Sequence, residues 1–289
     1  MNTHLHTAES VVDIATGRIS GRATTVGHEF LGIPYGADTS GENRFRAPQP
    51  VTAWTSVREC IPLPFKTPQT PRAIRPANAW ISDKTETSED CLGLNVFTPP
   101  PGRQAKRPDI VWLHGGGFVF GLSGAPGFHG GNLSRAGDLA VVTLNHRLKV
   151  FKFGYFGDED EQFAQSGTAG IWDIVQALEW VRDNIAVFGG DPNNVTIFSQ
   201  SGGGSMVAIM MTMPRAKGLF HKAIIQSASS LLQLATPESA SRSMYYLRKA
   251  LDVKSAKAIQ NLSTNVLQQG YRSAVEAPNK NDSFRAIKY

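Results

Sequence analysis

The feature that most constrains this chain is the stretch Asn194–Met206, in which an apolar run meets a turn rich in serine and glycine. Val195–Phe198 consists of β-branched and aromatic residues and predicts a short buried strand. Ser199–Gly203 then forces a sharp turn, and Ser205–Met211 continues as an apolar helix. The stretch therefore predicts a strand, a tight turn with Ser201 at its apex, and a helix.

This order of elements is the nucleophile elbow of α/β-hydrolases, whose apex serine needs small neighbours because the strand and the helix pack closely. Gly203 supplies one small residue, and Ser199 occupies the other position, where the elbow motif has glycine. We expect Ser199 to strain the turn without abolishing it. On this stretch alone, a Gly/Ser turn that carries no chemistry is an equally good interpretation.

Composition and charge exclude several classes of function. The 289 residues suffice for one large α/β domain or two small ones, and a hydrophobic content of 41% supplies a core. The net charge of +5 comes from scattered Lys and Arg residues without basic runs, which argues against nucleic-acid binding. The amino terminus lacks the pattern of a signal peptide and no run has the length of a membrane span, so we expect a cytoplasmic protein without a membrane partner.

Cysteine and histidine spacing predicts neither a metal site nor a cofactor. Cys60 and Cys91 are the only cysteines, and in a reducing compartment we expect them to be free thiols. No CxxC or HxxxH pattern is present. We therefore expect neither a bound metal nor a cofactor.

Predicted strands and helices alternate along the chain, which favours a mostly parallel α/β sheet that begins with an antiparallel hairpin. Residues 48–82 are rich in proline and predict a long surface loop, and Phe188–Pro192 predicts a turn. The predicted strands are Val11–Ile14, Gly17–Gly21, Pro108–Leu113, Leu139–Asn145, Val195–Phe198 and Ala223–Ser227, and the predicted helices are Gly170–Asn184, Ser205–Met211, Ala240–Ala250 and Lys257–Gly270.

A second glycine-rich segment, His114-Gly-Gly-Gly-Phe118, follows the predicted strand Pro108–Leu113. Consecutive glycines leave backbone N–H groups uncovered and allow a ligand to approach closely. No Gly-Lys-Ser/Thr follows, which excludes a phosphate-binding P-loop. Loops of the HGGG type supply oxyanion-hole donors in lipases and esterases.

Several further motifs occur in a fixed order around these two, and together they make the chain resemble the type-B carboxylesterases. That family contains carboxylesterases, cholinesterases and para-nitrobenzyl esterases. The resemblance implies the α/β-hydrolase fold as one domain over residues 1–289, with a mostly parallel central sheet and antiparallel N-terminal strands. The motifs are Gly32–Tyr35, Phe45–Pro48, Ser88–Leu92, His114–Phe118, Asn145–Arg147, Phe188–Pro192 and Asn194–Phe198, followed by the elbow.

The resemblance also implies roles for individual residues. Ser201 matches the nucleophile, and the backbone N–H groups of Gly116, Gly117 and Gly202 match the oxyanion-hole donors. The implied substrate is a small-molecule carboxylic ester. His114 matches a position in the loop before the oxyanion hole, which argues against a role for it as a catalytic base.

Four other residues match positions that form buried ion pairs in the family, and a fifth matches a loop tryptophan. The implied pairs are Arg46 with Glu89 and Arg147 with Asp173. Trp80 lies where cholinesterases carry a cation-binding tryptophan, although covering apolar surface is the simpler role for it.

The sequence departs from the family pattern at three places besides Ser199. Gly202 replaces the usual alanine after the nucleophile, and Ala228 replaces a usual glycine. Lys152 lies in an unusual Phe-Lys-Phe-Gly segment after Asn145–Arg147.

The largest departure concerns the catalytic triad, which runs in the order serine, acid, histidine in α/β-hydrolases. After Ser201 the only histidine is His221, and no Asp or Glu lies between them. We therefore expect that the chain corresponds to the N-terminal half of the family. The triad acid and histidine and the C-terminal part of the fold are expected to be missing, with an unpaired sheet edge exposed.

Two functions remain open at this point. One is a serine carboxylesterase that acts through an acyl-enzyme on Ser201, represented by a fragment with little activity. The other is a non-catalytic, esterase-like binding or interaction module. The sequence fixes neither the oligomeric state nor the acyl and alcohol preference.

Overall fold

The computed structural model describes residues 9–71, 73–101, 104–228 and 235–276. The end of the polar C-terminal region lies outside these residues. Strands are β1 Glu9–Ile14, β2 Gly17–Thr24, β3 Gly27–Pro34, β4 Arg58–Glu59, β5 Gly93–Thr98, β6 Arg107–Leu113, β7 Ala140–Leu144, β8 Gly190–Gln200 and β9 Lys222–Gln226. Helices are α1 Gly131–Gly137, α2 Val150–Phe153, α3 Ala169–Asn184, α4 Gly202–Thr212, α5 Pro237–Leu251, α6 Ala256–Gln260 and α7 Thr264–Glu276.

All nine strands of the described residues belong to one sheet in the order β1-β2-β3-β5-β7-β6-β8-β9, with β4 beside β2. Strands β6, β7, β8 and β9 are parallel to one another, whereas β1, β2 and β3 form an antiparallel start. The predicted opening hairpin is confirmed, with Ile14 opposite Gly17. The antiparallel pairing extends further than predicted, because β5 pairs antiparallel with both β3 and β7.

Helix α3 covers one face of the parallel strands, as its apolar spacing predicts. Four side chains at positions i, i+3, i+4 and i+7 form this face, and all four are fully buried. They belong to the same core cluster as Val111 and Leu113 of β6 and Ile197 of β8. The helix therefore fixes the strands that carry both glycine-rich turns. The four side chains are Ile174, Ala177, Leu178 and Val181.

A second core lies under the C-terminal helices, where α5, α6 and α7 pack around Phe45 and Phe151. The predicted helix Ala240–Ala250 is confirmed within α5, but the predicted helix Lys257–Gly270 is wrong as one element. It breaks between α6 and α7 because Arg44 Nη1 donates to the carbonyl oxygens of Gln260 at 2.7 Å and Leu262 at 2.6 Å. The predicted turn Phe188–Pro192 is also shorter than expected, since β8 already begins at Gly190.

The ion pair between Arg147 and Asp173 is confirmed and lies in the interior. Arg147 Nη2 is 2.6 Å from Asp173 Oδ1, and the two side chains are 2% and 0% exposed. The backbone N–H of Arg147 also donates to Asp173 Oδ2 at 2.9 Å. Other N–H groups of the Arg147 guanidinium donate to the carbonyl oxygens of Arg46 and Ala169. The two buried charges therefore have both an ion-pair partner and hydrogen-bond partners.

The second predicted pair is wrong in one partner. Arg44, and not Arg46, binds Glu89, through Nη2 to Oε1 at 2.6 Å and Nε to Oε2 at 2.8 Å. The buried Phe45 between the two arginines has φ 68°, a left-handed conformation that turns the chain at this point. Arg46 instead offers its carbonyl oxygen to Arg147. Two arginines separated by one residue cannot be distinguished from the sequence pattern.

Strand β9 lies at the edge of the sheet and pairs only with β8 among the described residues. Ile224 and Ile225 are 45% and 41% exposed, so both faces of this strand are open. The expected unpaired sheet edge is therefore present in the described part of the chain. None of the helices described there is long and apolar enough to cross a membrane.

Removal of one charge from the Arg147–Asp173 pair tests its importance. We expect Asp173→Asn to lower the free energy of unfolding by about 3–5 kcal/mol, because the Arg147 charge stays buried without its partner. Urea unfolding measures the change. Asp183→Asn on the same helix is the matched control, since the Arg182–Asp183 pair is about half exposed, and we expect it to cost less than about 1 kcal/mol. Equal costs for the two substitutions would contradict this account.

A second buried carboxyl group, on Asp109 of β6, has no such partner. Both of its oxygens are buried without a hydrogen-bond partner, and a Cβ on Gly190 would lie 2.0 Å from Oδ1. Burial, and then the nearby Asp191 carboxylate, raise the pKa of Asp109 from 3.8 to about 8. The folded protein therefore keeps this proton at pH values where the unfolded chain has released it.

The sign of the pH dependence follows from this difference. Because the folded state binds the extra proton, the contribution of Asp109 to stability falls as the pH rises from about 4 to about 8, at up to about 1.4 kcal/mol per pH unit. We expect Asp109→Asn to gain stability relative to the wild type between pH 5 and pH 8, measured by urea unfolding. Asp13→Asn, at an exposed carboxylate, is the control. If the free energy of unfolding changed with pH in the same way in the wild type and in Asp109→Asn, the raised pKa of Asp109 would be wrong.

Candidate active site

Ser201 lies at the turn between strand β8 and helix α4, as the sequence predicts. Its backbone has φ 60° and ψ −130°, a strained conformation for a residue other than glycine. The N–H of Ser201 donates to the carbonyl oxygen of Gln226 on β9 at 2.8 Å, and its carbonyl accepts from the N–H of Ser205 at 3.2 Å. The turn is thus held by the neighbouring strand and by the first hydrogen bond of the helix.

Ser199 fits the tight elbow because its hydroxyl group finds a partner. The side chain is fully buried, and Oγ donates to the carbonyl oxygen of Leu113 at the end of β6. Gly203 faces it so closely that a Cβ there would lie 1.9 Å from Ser199 Oγ and 2.5 Å from the Leu113 oxygen. The expectation that Ser199 preserves the turn is confirmed, and the space that it uses is left free by Gly203.

The second glycine-rich segment, residues 114–118, lies directly against the elbow and is called the glycine loop below. A Cβ on Gly115 would lie 3.5 Å from the Cβ of Ser201, and a Cβ on Gly202 would lie 3.0 Å from the N atom of Gly117. Gly116 and Gly117 have φ 107° and 58°, which an L side chain rarely adopts. Glycine at these positions therefore permits the close approach of the loop to Ser201.

The backbone N–H groups of this corner are unoccupied. Within the described part of the chain, those of Gly116 and Gly117 donate to no carbonyl or side-chain group. Gly202 is the first residue of α4, and the N–H groups of a first helical turn have no partner inside the helix. The glycine loop and the elbow thus bring together three uncommitted donors next to one serine hydroxyl.

Two stacked, buried histidines connect the start of the glycine loop with the segment after β7. The rings of His114 and His146 stack with their centroids 4.3 Å apart, and each Nε2 is buried without a hydrogen-bond partner. Burial lowers the pKa of His114 to about 4 and lowers the pKa of His146 well below its usual range. The sequence indicated that His114 belongs to the loop and that Lys152 is unusual. It gave no signal for His146, whose place under His114 depends on the tertiary fold.

The other described histidines are far from the hydroxyl group of Ser201 or engaged elsewhere. His221 Nδ1 accepts from the N–H of Val195 on β8. Val195 precedes Ser201 by six residues, and an extended chain of that length spans about 20 Å. His28 contacts Ser10, and His129 contacts Glu29. Among the described residues, no histidine forms a hydrogen bond with Ser201.

Trp80 lies at one end of an aromatic row, which consists of Trp80, Phe128, Trp112 and Phe198. Trp80 is 56% exposed and contacts Phe128 edge-on at 6.2 Å between ring centroids. Phe128 and Phe198 both contact Trp112, at 5.0 and 4.8 Å. These contacts fit the role of covering apolar surface, and cation binding at Trp80 stays a prediction.

Metal and thiol chemistry receive no support from the described residues. Cys60 and Cys91 are both buried free thiols, and burial raises their pKa values to about 11 and about 12. In the same residues no three His, Cys, Asp or Glu side chains are grouped as a metal site would require. A cavity of about 490 Å³ borders Phe120–Leu122, next to the glycine loop, but Ser201 does not line it.

Sequence comparison places these features in a known context. The sequence profile described as the carboxylesterase family matches residues 8–281. The para-nitrobenzyl esterase of Bacillus subtilis (strain 168) is 38% identical over 241 residues, which covers 82% of this chain and 47% of that protein. Human carboxylesterase 3 is 40% identical over 232 residues, which covers 76% of this chain and 39% of that protein.

Solved structures of carboxylesterases are also similar to this chain, over most of its length. A carboxylesterase of Geobacillus stearothermophilus, crystallised at pH 6.8, has a TM-score of 0.82 and 36% identity over 93% of this chain and 55% of that chain. A thermophilic para-nitrobenzyl esterase has a TM-score of 0.86 and 33% identity over 95% of this chain and 56% of that chain. The chain thus spans about half the length of the relatives that it matches.

The tight contact at Gly203 can be tested directly. We expect Gly203→Ala to lower the free energy of unfolding by about 1–3 kcal/mol, because the new methyl group would collide with Ser199 Oγ and with the carbonyl oxygens of Leu113 and His114. Gly204→Ala, one residue further on the same helix, is the matched control, since its Cβ would have no atom nearer than 3.2 Å. Thermal or urea unfolding gives both values, and an equal loss for the two would refute the proposed packing.

Proposed function

The chain belongs to the carboxylesterase family, and we propose that it provides the nucleophile and the oxyanion hole of a carboxylic-ester hydrolase. In this proposal Ser201 is the nucleophile, and the N–H groups of Gly116, Gly117 and Gly202 are the oxyanion-hole donors. The observation that carries the proposal is the packing of the glycine loop against the strained turn of Ser201, with its N–H groups uncommitted. The proposed substrate is a small-molecule carboxylic ester.

The proposed reaction begins when Ser201 Oγ attacks the ester carbonyl carbon. The carbonyl oxygen becomes an oxyanion, which the three N–H groups stabilise, and the alcohol leaves as the acyl-enzyme forms. Water then hydrolyses the acyl-enzyme and restores the serine. Loss of one such donor costs about 10²–10³ in rate in serine hydrolases, so the three together supply a large share of the catalysis.

Gly202 gives this oxyanion hole one property of its own. In the usual pattern alanine follows the nucleophile, and a Cβ at this position would lie 3.0 Å from the N atom of Gly117 and 3.3 Å from Cε1 of Phe118. Glycine removes that methyl group and allows the glycine loop to lie closer to helix α4 than an alanine would permit.

Proton transfer is the part of the reaction that the described residues leave open. A histidine must accept the proton of Ser201, and an acid must orient that histidine. His114 donates from Nδ1 to the carbonyl oxygen of Gly115 at 2.9 Å and stacks on His146, whereas His221 binds Val195 in the middle of β8. We propose that neither serves as the base and that the 289-residue chain is a weak catalyst.

The experiment is acylation of purified 289-residue protein by a p-nitrophenyl ester, followed by mass spectrometry of the elbow peptide and by release of p-nitrophenol. We expect slow labelling of Ser201 and turnover no better than the roughly 10³–10⁴ over water that subtilisin keeps without its triad. Ser201→Ala should abolish labelling, and Ser56→Ala, at an exposed serine, should not.

Two outcomes would contradict the proposal in different ways. Labelling that persists in Ser201→Ala would show that Ser201 is not the nucleophile and would favour the alternative, a non-catalytic binding module. Fast turnover that disappears in Ser201→Ala would show that a base is present in this chain. In that case the assignment of His114 and His221 as non-catalytic would be wrong.

A further inference from the structure

Lys152 of α2 is a fully buried lysine with no counter-charge of its own. Its Nζ lies 2.7 Å from Met206 Sδ and 3.3 Å from His146 Nδ1. Among the described residues it forms no ion pair with a carboxylate, and the nearby Asp173 is taken by Arg147. An ammonium group in this place would lack the partner that buried charges require.

The contacts of Lys152 reach both sides of the proposed active site. Nζ lies 5.5 Å from the ring centroid of Phe118, the last residue of the glycine loop. Through His146 it also supports His114, the first residue of that loop. Met206 belongs to α4, the helix that begins after Ser201. The Lys152 amine therefore contacts both the residues that pack on the glycine loop and a residue of helix α4.

The fold makes room for this side chain at a specific place. A Cβ on Gly170, in the first turn of α3, would lie 2.3 Å from Lys152 Cγ and 2.8 Å from Cδ. Methionine or leucine would fill the same space without the desolvation cost of an amine. A buried ionisable group beside a reactive centre is a candidate for a functional role.

We propose that Lys152 is a positioning residue for the chemistry of Ser201: its uncharged amine holds the glycine loop against helix α4, and protonation of the amine loosens that contact. The link to Ser201 rests on the proposed function. The movement of the loop on protonation does not, because it depends only on the contacts of Lys152 with Met206, His146 and Phe118.

The groups that face Lys152 explain why its neutral form fits. Burial lowers the pKa of Lys152 well below its usual range, the Asp173 carboxylate partly opposes this effect, and Arg147 adds to it. His146 and His114 face it from the loop side, and each is itself poorly able to hold a proton because of burial. From α4 the facing group is the uncharged Met206. Besides the Asp173 carboxylate, which is paired with Arg147, a proton on Lys152 would have the ring faces of Phe118 and Phe153 as partial compensation.

The direction of the pH effect is fixed by this environment. The unfolded chain binds the Lys152 proton at pH values where the folded protein does not, so stability rises with pH between the folded and the unfolded pKa. Acid should therefore push the amine out of its pocket before it unfolds the protein. The glycine loop and Met206 are the parts that should respond first.

The first measurement needs no catalysis. The ¹³C-methyl resonance of Met206 and the hydrogen-exchange protection of Gly115–Phe118 are followed over the whole pH range in which the protein stays folded, in the wild type and in Lys152→Met. We expect both to change with one shared midpoint in the wild type and to be flat in Lys152→Met, which should also melt at a higher temperature at neutral pH. Lys222→Met, which makes the same substitution at an exposed lysine on β9, should behave as the wild type.

The second measurement is the rate at which a fluorophosphonate labels Ser201 over the same pH range. We expect the rate in the wild type to fall on the acid side with the midpoint found for Met206. In Lys152→Met the plateau should stay within about threefold, and the acid fall should move to lower pH. A merely structural lysine would change the plateau and leave the midpoint in place.

Each result decides the proposal. A Met206 resonance that does not titrate in the wild type, or that titrates equally in Lys152→Met, overturns it. A loop that responds while the labelling profiles coincide overturns the positioning role. If Ser201 is not labelled at any pH, the proposed function fails, and the first measurement alone decides whether protonation of Lys152 moves the loop. If Lys152→Met does not fold, Lys152→Gln repeats both measurements.

Discussion

The close approach of helix α4 to the end of strand β6 is the constraint on which the rest of the site depends. It requires Gly203 opposite Ser199, and it turns a serine hydroxyl into a bridge to the Leu113 carbonyl oxygen. Because helix and strand touch here, Ser201 has no room for a relaxed backbone and takes a positive φ. The glycine loop can then approach Ser201 from the other side.

Two buried ion pairs hold the surroundings of this contact. Arg147 and Asp173 join the segment after β7 to α3, and Arg44 and Glu89 join the N-terminal region to the segment before β5. Arg44 also binds the carbonyl oxygens of Gln260 and Leu262, which ties the C-terminal helices to the same region. Both buried pairs thus join segments that are distant in the sequence and lie outside the corner around Ser201.

Local sequence patterns predicted an element well where the spacing of its own apolar residues determines which side of it is buried. Helix α3 is such a case, and strand β7 was predictable from its continuous apolar run because both of its faces are buried. The same patterns failed where the outcome depends on a distant group, as in the choice of Arg44 over Arg46 and in the break between α6 and α7. The elbow and the glycine loop were predictable because their glycines serve short-range contacts. The stacking of His146 under His114 was not, since 31 intervening residues (115–145) separate the two rings in the chain.

The aromatic row from Trp80 to Phe198 has a spectroscopic consequence. Trp112 packs on Phe198, three residues before Ser201, and its indole N–H is buried without a hydrogen-bond partner, whereas Trp80 is mostly open to water. The two indoles therefore occupy environments of different polarity within one connected set of rings. Emission from Trp112 reports on the packing of β8 next to the elbow, and quenching by a solute in the solvent reaches Trp80 first.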